Sequence, residues 1–193
     1  MPLVTFCFVS TATPGPNNIM LTASGANFGF RKTIPLMLGI FSGLIGLMAV
    51  SAFGLHMVFA AFPQMHLALK LMGAAYLFFL AWKIAGSGRE EDDGRPEKKP
   101  ISFLQAALFQ FLNPKAVVMA VTVMSTYTLA GRDYLSSAYV VTIVFLLVCI
   151  PSILGWATFG TAVGKLLANA KIRKTFNGTM GILTAGSAIA ILL

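Results

Sequence analysis

Two short stretches place carboxamides and an ammonium beside helix breakers, inside runs that are otherwise apolar. The first is Thr13, Pro14, Gly15, Pro16, Asn17 and Asn18; the second is Asn113, Pro114 and Lys115. A proline inside a helix removes a backbone donor and clashes with the preceding turn. In hydrocarbon the carbonyls it frees find no water unless they line a cavity or meet other protein groups. Thr13-Pro14 and Asn113-Pro114 each have the form of an N-cap residue followed by proline at the first helical position, which splits each run into two half-helices. The start of a half-helix carries unsatisfied N–H groups and roughly half a positive charge, so it attracts an anion. Asn17, Asn18 and Asn113 add donors and acceptors, and Lys115 adds a full positive charge. The predicted ligand is a small zwitterion such as an amino acid, its carboxylate on the positive helix ends and its amino group on freed carbonyls or amide oxygens. The competing reading is plain: the prolines kink the helices for packing and Lys115 reaches for the membrane surface.

The elements that position these residues follow from composition. Of 193 residues, 57% are hydrophobic and 10% charged, against roughly a quarter charged in soluble domains, so an all-α integral membrane protein is expected. Six apolar segments are long enough to cross: 3–28, 33–62, 65–84, 101–129, 134–167 and 175–193. The stretch 86–100, GSGREEDDGRPEKKP, reads as a charged cytoplasmic linker between a first three-helix repeat, 1–85, and a second, 101–193. Eleven Lys and Arg residues fall after the first, third and fifth segments, against Arg132 alone on the other side, which puts both termini in the periplasm. The first segment lacks a basic start and a small-residue cleavage site, so it is expected to be retained as a span.

Three spans on either side of a linker make any internal similarity an inverted repeat. Helices 1 and 4 are the interrupted ones, 17 residues separate Pro14 from Arg31 and 18 separate Pro114 from Arg132, and a glycine lies just before the arginine in both halves (Gly29, Gly131). Matching interruptions in two inverted halves are the sequence sign of a secondary transporter with its site near mid-membrane.

Other polar or special residues receive smaller roles. Gly39, Gly43 and Gly73 are expected to permit close helix packing. Tyr76 suits a cavity or an interface, and Trp82 with Lys83 suits an interfacial anchor. His56 and His66 have no acidic or thiol neighbours in sequence, so no metal site is expected, nor any cofactor. Cys7 and Cys149 read as small hydrophobes rather than a disulfide. The basic charge, +8, is concentrated between apolar segments and so orients the chain in a lipid bilayer rather than binding nucleic acid. All six acids lie in connections, leaving no carboxylate within the spans for a proton relay. A channel for a small anionic or zwitterionic metabolite is the near alternative. An intramembrane enzyme is the distant one, since nucleophile–base pairs and metal ligands are missing from the spans.

The stretches TPGPNN, GFRKT, GAAYLFFLAWKI and FLNPKAV together make the chain similar to the LysE/RhtB family of bacterial amino-acid exporters, over nearly its whole length. PNNI, AYLFFLAWKIA and KPISF resemble the cysteine/O-acetylserine exporter branch most. The resemblance implies efflux of amino acids or their derivatives across the inner membrane, driven by protons as the coupling ion. It assigns Pro14, Gly15, Pro16 and Asn17 to one family motif and Asn113, Pro114 and Lys115 to the other. Where some relatives carry an acid after the glycine pair of the second span, this chain has Leu44. A homo-oligomer is left open by the sequence.

Overall fold

Proline and glycine positions decide where the helices start and stop. In the computed structural model, which describes residues 2–54, 64–86, 99–129, 131–167 and 169–192, helix α1 runs Pro2–Ala12 and α2 runs Pro16–Ala52. Thr13 still donates its N–H to Val9 O at 3.0 Å, but Pro14 has no N–H to continue the ladder. The next helix starts one proline later than expected. The N-cap is Gly15, in extended backbone, and Pro16 holds the first helical position. A residue before proline is pushed out of the helical region, so Pro16 excludes Gly15 from the helix just as Pro14 excludes Thr13.

Helix α2 is two arms. Gly29 sits at φ 77°, ψ 169°, a region close to forbidden for any residue with a Cβ. The hydroxyls of Ser24 and Thr33 lie 2.9 Å apart across it. In a straight helix nine residues would separate them by about 13 Å along the axis. The chain therefore folds back at Gly29, and arms 16–28 and 30–52 lie beside one another. Gly131 also has a positive φ, 76°, and opens a short 3-10 turn, Gly131–Asp133.

The rest of the described chain is helical too: α3 Gln64–Ala85, α4 Phe103–Leu112, α5 Pro114–Tyr127, α6 Tyr134–Leu166 and α7 Ala170–Leu192. A capping box starts α4, with Ser102 accepting from Gln105 N–H and the Gln105 side chain accepting from Ser102 N–H. Asn113 ends α4 and caps α5, Pro114 follows at the first position, and the two helices meet at a bend of 64°. Among the described residues, three helices, α2 counted with both its arms, are long and apolar enough to cross a membrane, and the bent pair α4–α5 makes a fourth candidate span. Residues 87–98 of the linker 86–100 and His56 lie outside the described residues, as does the side chain of His66.

Small residues bring these helices into backbone contact. Gly160 and Gly164 of α6 face the backbone of Thr22 and Ala26 on the first arm of α2, and Gly25 faces Ala157 in return. Gly39 and Gly43 on the second arm lie against Phe103, Ala106 and Ala107 of α4, and Gly73 of α3 lies against the Leu112 carbonyl. A Cβ at any of these glycines would overlap backbone atoms, so the seams close only because the side chains are absent. Tyr76 stacks on Phe109 at 5.1 Å and donates to Gln105 O at 3.3 Å, joining α3 to α4. Trp82 is 75% exposed, next to Lys83. Leu38, Leu104, Tyr139 and Ile182 are also exposed, forming an apolar exterior fit for lipid. Cys7 and Cys149 are buried as free thiols.

Candidate functional site

The two helix interruptions come together. A hollow of about 30 Å³ is lined by Gly15, Pro16, Asn17 and Asn18 from the first break and by Asn113, Lys115 and Met119 from the second. Ser10 and Thr11 at the end of α1, Leu44 of the second α2 arm, and Cys149, Ser152 and Ile153 of α6 complete its wall. It has room for about two waters, an order of magnitude less than a typical ligand pocket. Lys115 is one of the side chains that line it, and its ammonium reaches the other break.

Lys115 Nζ donates to Thr13 O at 2.7 Å and to Pro14 O at 3.4 Å, more than a hundred residues away in sequence. These carbonyls lie in the non-helical turn between Ala12 and Pro16, where no i+4 backbone N–H reaches them. Gly15 permits the approach, since a Cβ there would lie 2.9 Å from Lys115 Cδ and 3.1 Å from Nζ. Among the described residues, Lys115 has no carboxylate partner, so carbonyl dipoles alone face its charge.

Asn18 closes the remaining valences of the break. Its Nδ2 donates to both Thr11 O and Thr13 O at 2.9 Å, and Ser152 Oγ of α6 donates to Thr11 O at 2.8 Å. Asn17 pairs with Gln110 on α4: its Nδ2 donates to Gln110 Oε1 at 2.7 Å and its Oδ1 accepts from Gln110 Nε2 at 3.1 Å. The break in α1–α2 is thus tied to α4, α5 and α6 by side chains that satisfy otherwise orphaned groups.

The helix starts face the same hollow. Ile19 N–H bonds back to Gly15 O and Val117 N–H to Asn113 O, both at 3.0 Å, which leaves the N–H groups of Asn17, Asn18, Lys115 and Ala116 at the free ends of α2 and α5. Asn113 is 2% exposed and its Oδ1 has no partner. An unpartnered buried acceptor beside two positive helix ends is costly unless something donates to it. The expected side-chain cap from Asn113 to its own helix is absent.

Of the nine residues expected at the site, six line the hollow: Gly15, Pro16, Asn17, Asn18, Asn113 and Lys115. Thr13 and Pro14 take part through their carbonyls; the Thr13 hydroxyl turns away, donating to Val9 O. Pro114 serves the geometry of the α5 start and packs near Gly73. The sequence reading missed Gln110 and Ser152. Both are polar side chains in apolar helices, a signal in itself. It also missed Asn27 and Asn177, whose carboxamides bond reciprocally at 2.7 and 2.8 Å between α2 and α7.

Comparison with known proteins places this geometry in context. The sequence pattern of the LysE type translocator family matches residues 8–193. Proteins described as "Cysteine/O-acetylserine efflux protein" from Escherichia coli, Shigella flexneri and Shigella sonnei are 35% identical over 165 residues, 84% of this chain and 82% of theirs. No solved structure matches. With nearly the whole chain covered by the family pattern and both interruptions inside the match, this protein belongs to the LysE type translocator family.

Proposed function

We propose that this protein is a secondary active exporter of small neutral amino acids or their derivatives, cysteine and O-acetylserine among them, across the bacterial inner membrane by proton-coupled antiport. The observation that supports it most is the meeting of the two interruptions at one hollow, where Lys115 of one break is bonded to the freed carbonyls of the other. Such a place offers acceptors to an ammonium and helix N-termini with free N–H groups to a carboxylate within a few ångströms, the two ends of an amino acid. The similarity to cysteine/O-acetylserine efflux proteins favours those two compounds as first substrates to try.

In this reading six membrane helices form two inverted three-helix repeats joined by the cytoplasmic linker, with both termini in the periplasm. The matched breaks at Gly15 and Asn113 support it, as do the left-handed glycines Gly29 and Gly131, each just ahead of an arginine. The substrate would be seated by Thr13, Pro14, Gly15, Pro16, Asn17, Asn18, Asn113, Pro114 and Lys115, as backbone or side chain.

Counterflow into proteoliposomes tests the function. Vesicles loaded with unlabelled L-cysteine or O-acetylserine should accumulate the labelled compound, saturably and faster under an imposed proton gradient. Flux without saturation and without response to the gradient would mean a channel; absence of flux with any amino acid of a broad panel would end the proposal.

A further inference from the structure

The ammonium of Lys115 sits where a carbonyl cage would receive a free amine. We infer that Lys115 is a tethered competitor for the substrate's amino group: it holds Thr13 O and Pro14 O in the empty site, and a zwitterionic ligand enters by displacing it, after which the freed ammonium pairs with the ligand's carboxylate. This deepens the amino-acid reading above and rests on it for the identity of the natural ligand.

Three independent features carry the inference. The first is what Lys115 touches. Its Nζ lies 2.7 Å from Thr13 O and 3.4 Å from Pro14 O, and these acceptors exist only because two prolines interrupt the helix. The second is what Lys115 lacks. Among the described residues no carboxylate faces it from α1, α2, α5 or α6, where the other lining side chains are hydroxyl, amide, thiol, thioether or aliphatic. A charged group in a half-buried position without a counter-charge favours a ligand that brings one. The third is Asn113 Oδ1, a 2%-exposed acceptor with no donor, in the wall of the same hollow. Positive helix ends and a lysine explain a carboxylate; an idle acceptor beside occupied carbonyls explains an amine.

The small volume of the hollow, about 30 Å³, fits the same account, because the lysine chain fills space that a ligand would take. Gly15 is then a clearance residue. Its backbone is extended and open to any residue, yet the nearest neighbours of an added Cβ are Lys115 Cδ, Nζ and Cε at 2.9, 3.1 and 3.6 Å. Alanine at this position pushes the lysine out of the cage while leaving its charge in the protein. A competitor on a short tether acts at an effective concentration of millimolar order, so its removal raises the affinity of a free amine by about tenfold or more.

The test measures equilibrium binding to the purified full chain of three probes: L-cysteine, cysteamine, which has the amine without the carboxylate, and 3-mercaptopropionate, which has the carboxylate without the amine. In Lys115→Met, cysteamine should bind at least about tenfold tighter than in the wild type and 3-mercaptopropionate should lose its binding. In Gly15→Ala, all three probes should bind tighter, since the cage is vacated and the ammonium is retained. Cysteamine affinity that is unchanged or lower in both variants, or undetectable throughout, overturns the inference. If Lys115→Met does not fold, Gly15→Ala decides alone. Wild-type protein that neither binds nor exchanges L-cysteine counts against the substrate reading, while the cysteamine contrast between wild type and variants still settles the role of Lys115.

Discussion

Replacing Gln110 by leucine isolates the contact that ties the first break to the helix before the second. Gln110 is fully buried and makes two reciprocal bonds with the Asn17 carboxamide, at 2.7 and 3.1 Å, besides a bond to Ala106 O within its own helix. Leucine keeps most of the volume and removes both interhelical bonds. Hydrogen bonds between membrane helices contribute about 0.6 kcal/mol on average and up to about 1.7. Two in parallel between rigidly held carboxamides predict a coupling of about 1–3 kcal/mol. The Ala106 carbonyl contributes little to the loss, because it lies inside a helix and keeps its backbone partner. The assay is a double-mutant cycle of Gln110→Leu, Asn17→Ala and the pair, followed by reversible unfolding in mixed micelles. Asn17→Ala alone should be the more destabilising single change, since it strands Gln110 Oε1 in a fully buried position while Gln110→Leu leaves a half-buried Asn17 at the hollow, and the double variant should cost clearly less than the sum. Strict additivity, within about 0.3 kcal/mol, would refute the claim that the two amides act as one clamp.

Three further outcomes are expected. Gly29→Ala places a Cβ at φ 77°, ψ 169°, where no steric neighbour stands but the backbone itself resists, and should cost about 1–3 kcal/mol in a thermal unfolding measurement. Gly160→Leu drives a side chain into the backbone of Thr22 and should cut the yield of folded, monodisperse protein severely, whereas Gly155→Leu, where a Cβ meets nothing within 4 Å, should be tolerated. Leu44→Asp brings a carboxylate into the hollow that Lys115 occupies; counterflow should fall by about tenfold or more as the lysine is held by its new partner. Adding Lys115→Met to Leu44→Asp should then cost about 3–5 kcal/mol of stability by leaving a buried carboxylate unpaired.

The two breaks were legible in the sequence because a proline there follows a capping type of residue; a proline alone was not enough, since Pro35 and Pro151 lie inside helices that continue through them. Gly29 and Gly131 were visible as paired positions before either was known to need a left-handed backbone. The first break shows the limit of a local argument. Two prolines two residues apart compete to start the next helix, and Pro16 prevails because it also forbids Gly15 the helical conformation. The partners across the hollow were not legible. That Asn17 meets Gln110, or that Thr11 meets Ser152, depends on how helices far apart in sequence are rotated about their axes, and apolar helices with little amphipathic contrast do not encode that rotation in a pattern. The seam of Gly160 and Gly164 was missed for a related reason: a glycine in a membrane helix declares that something can come close, not what. Lys115 was singled out for its depth, but its attachment to Thr13 O emerged only from the fold.

The central claim is that both interruptions serve one amino-acid seat. A structure of the protein determined with L-cysteine or O-acetylserine bound tests it most directly. The account predicts ligand density between Gly15 and Asn113, the carboxylate on the starts of α2 and α5 with Lys115 turned toward it, and the amine on the carbonyls of Thr13 and Pro14. Ligand density elsewhere, with Lys115 still on those carbonyls, would contradict it.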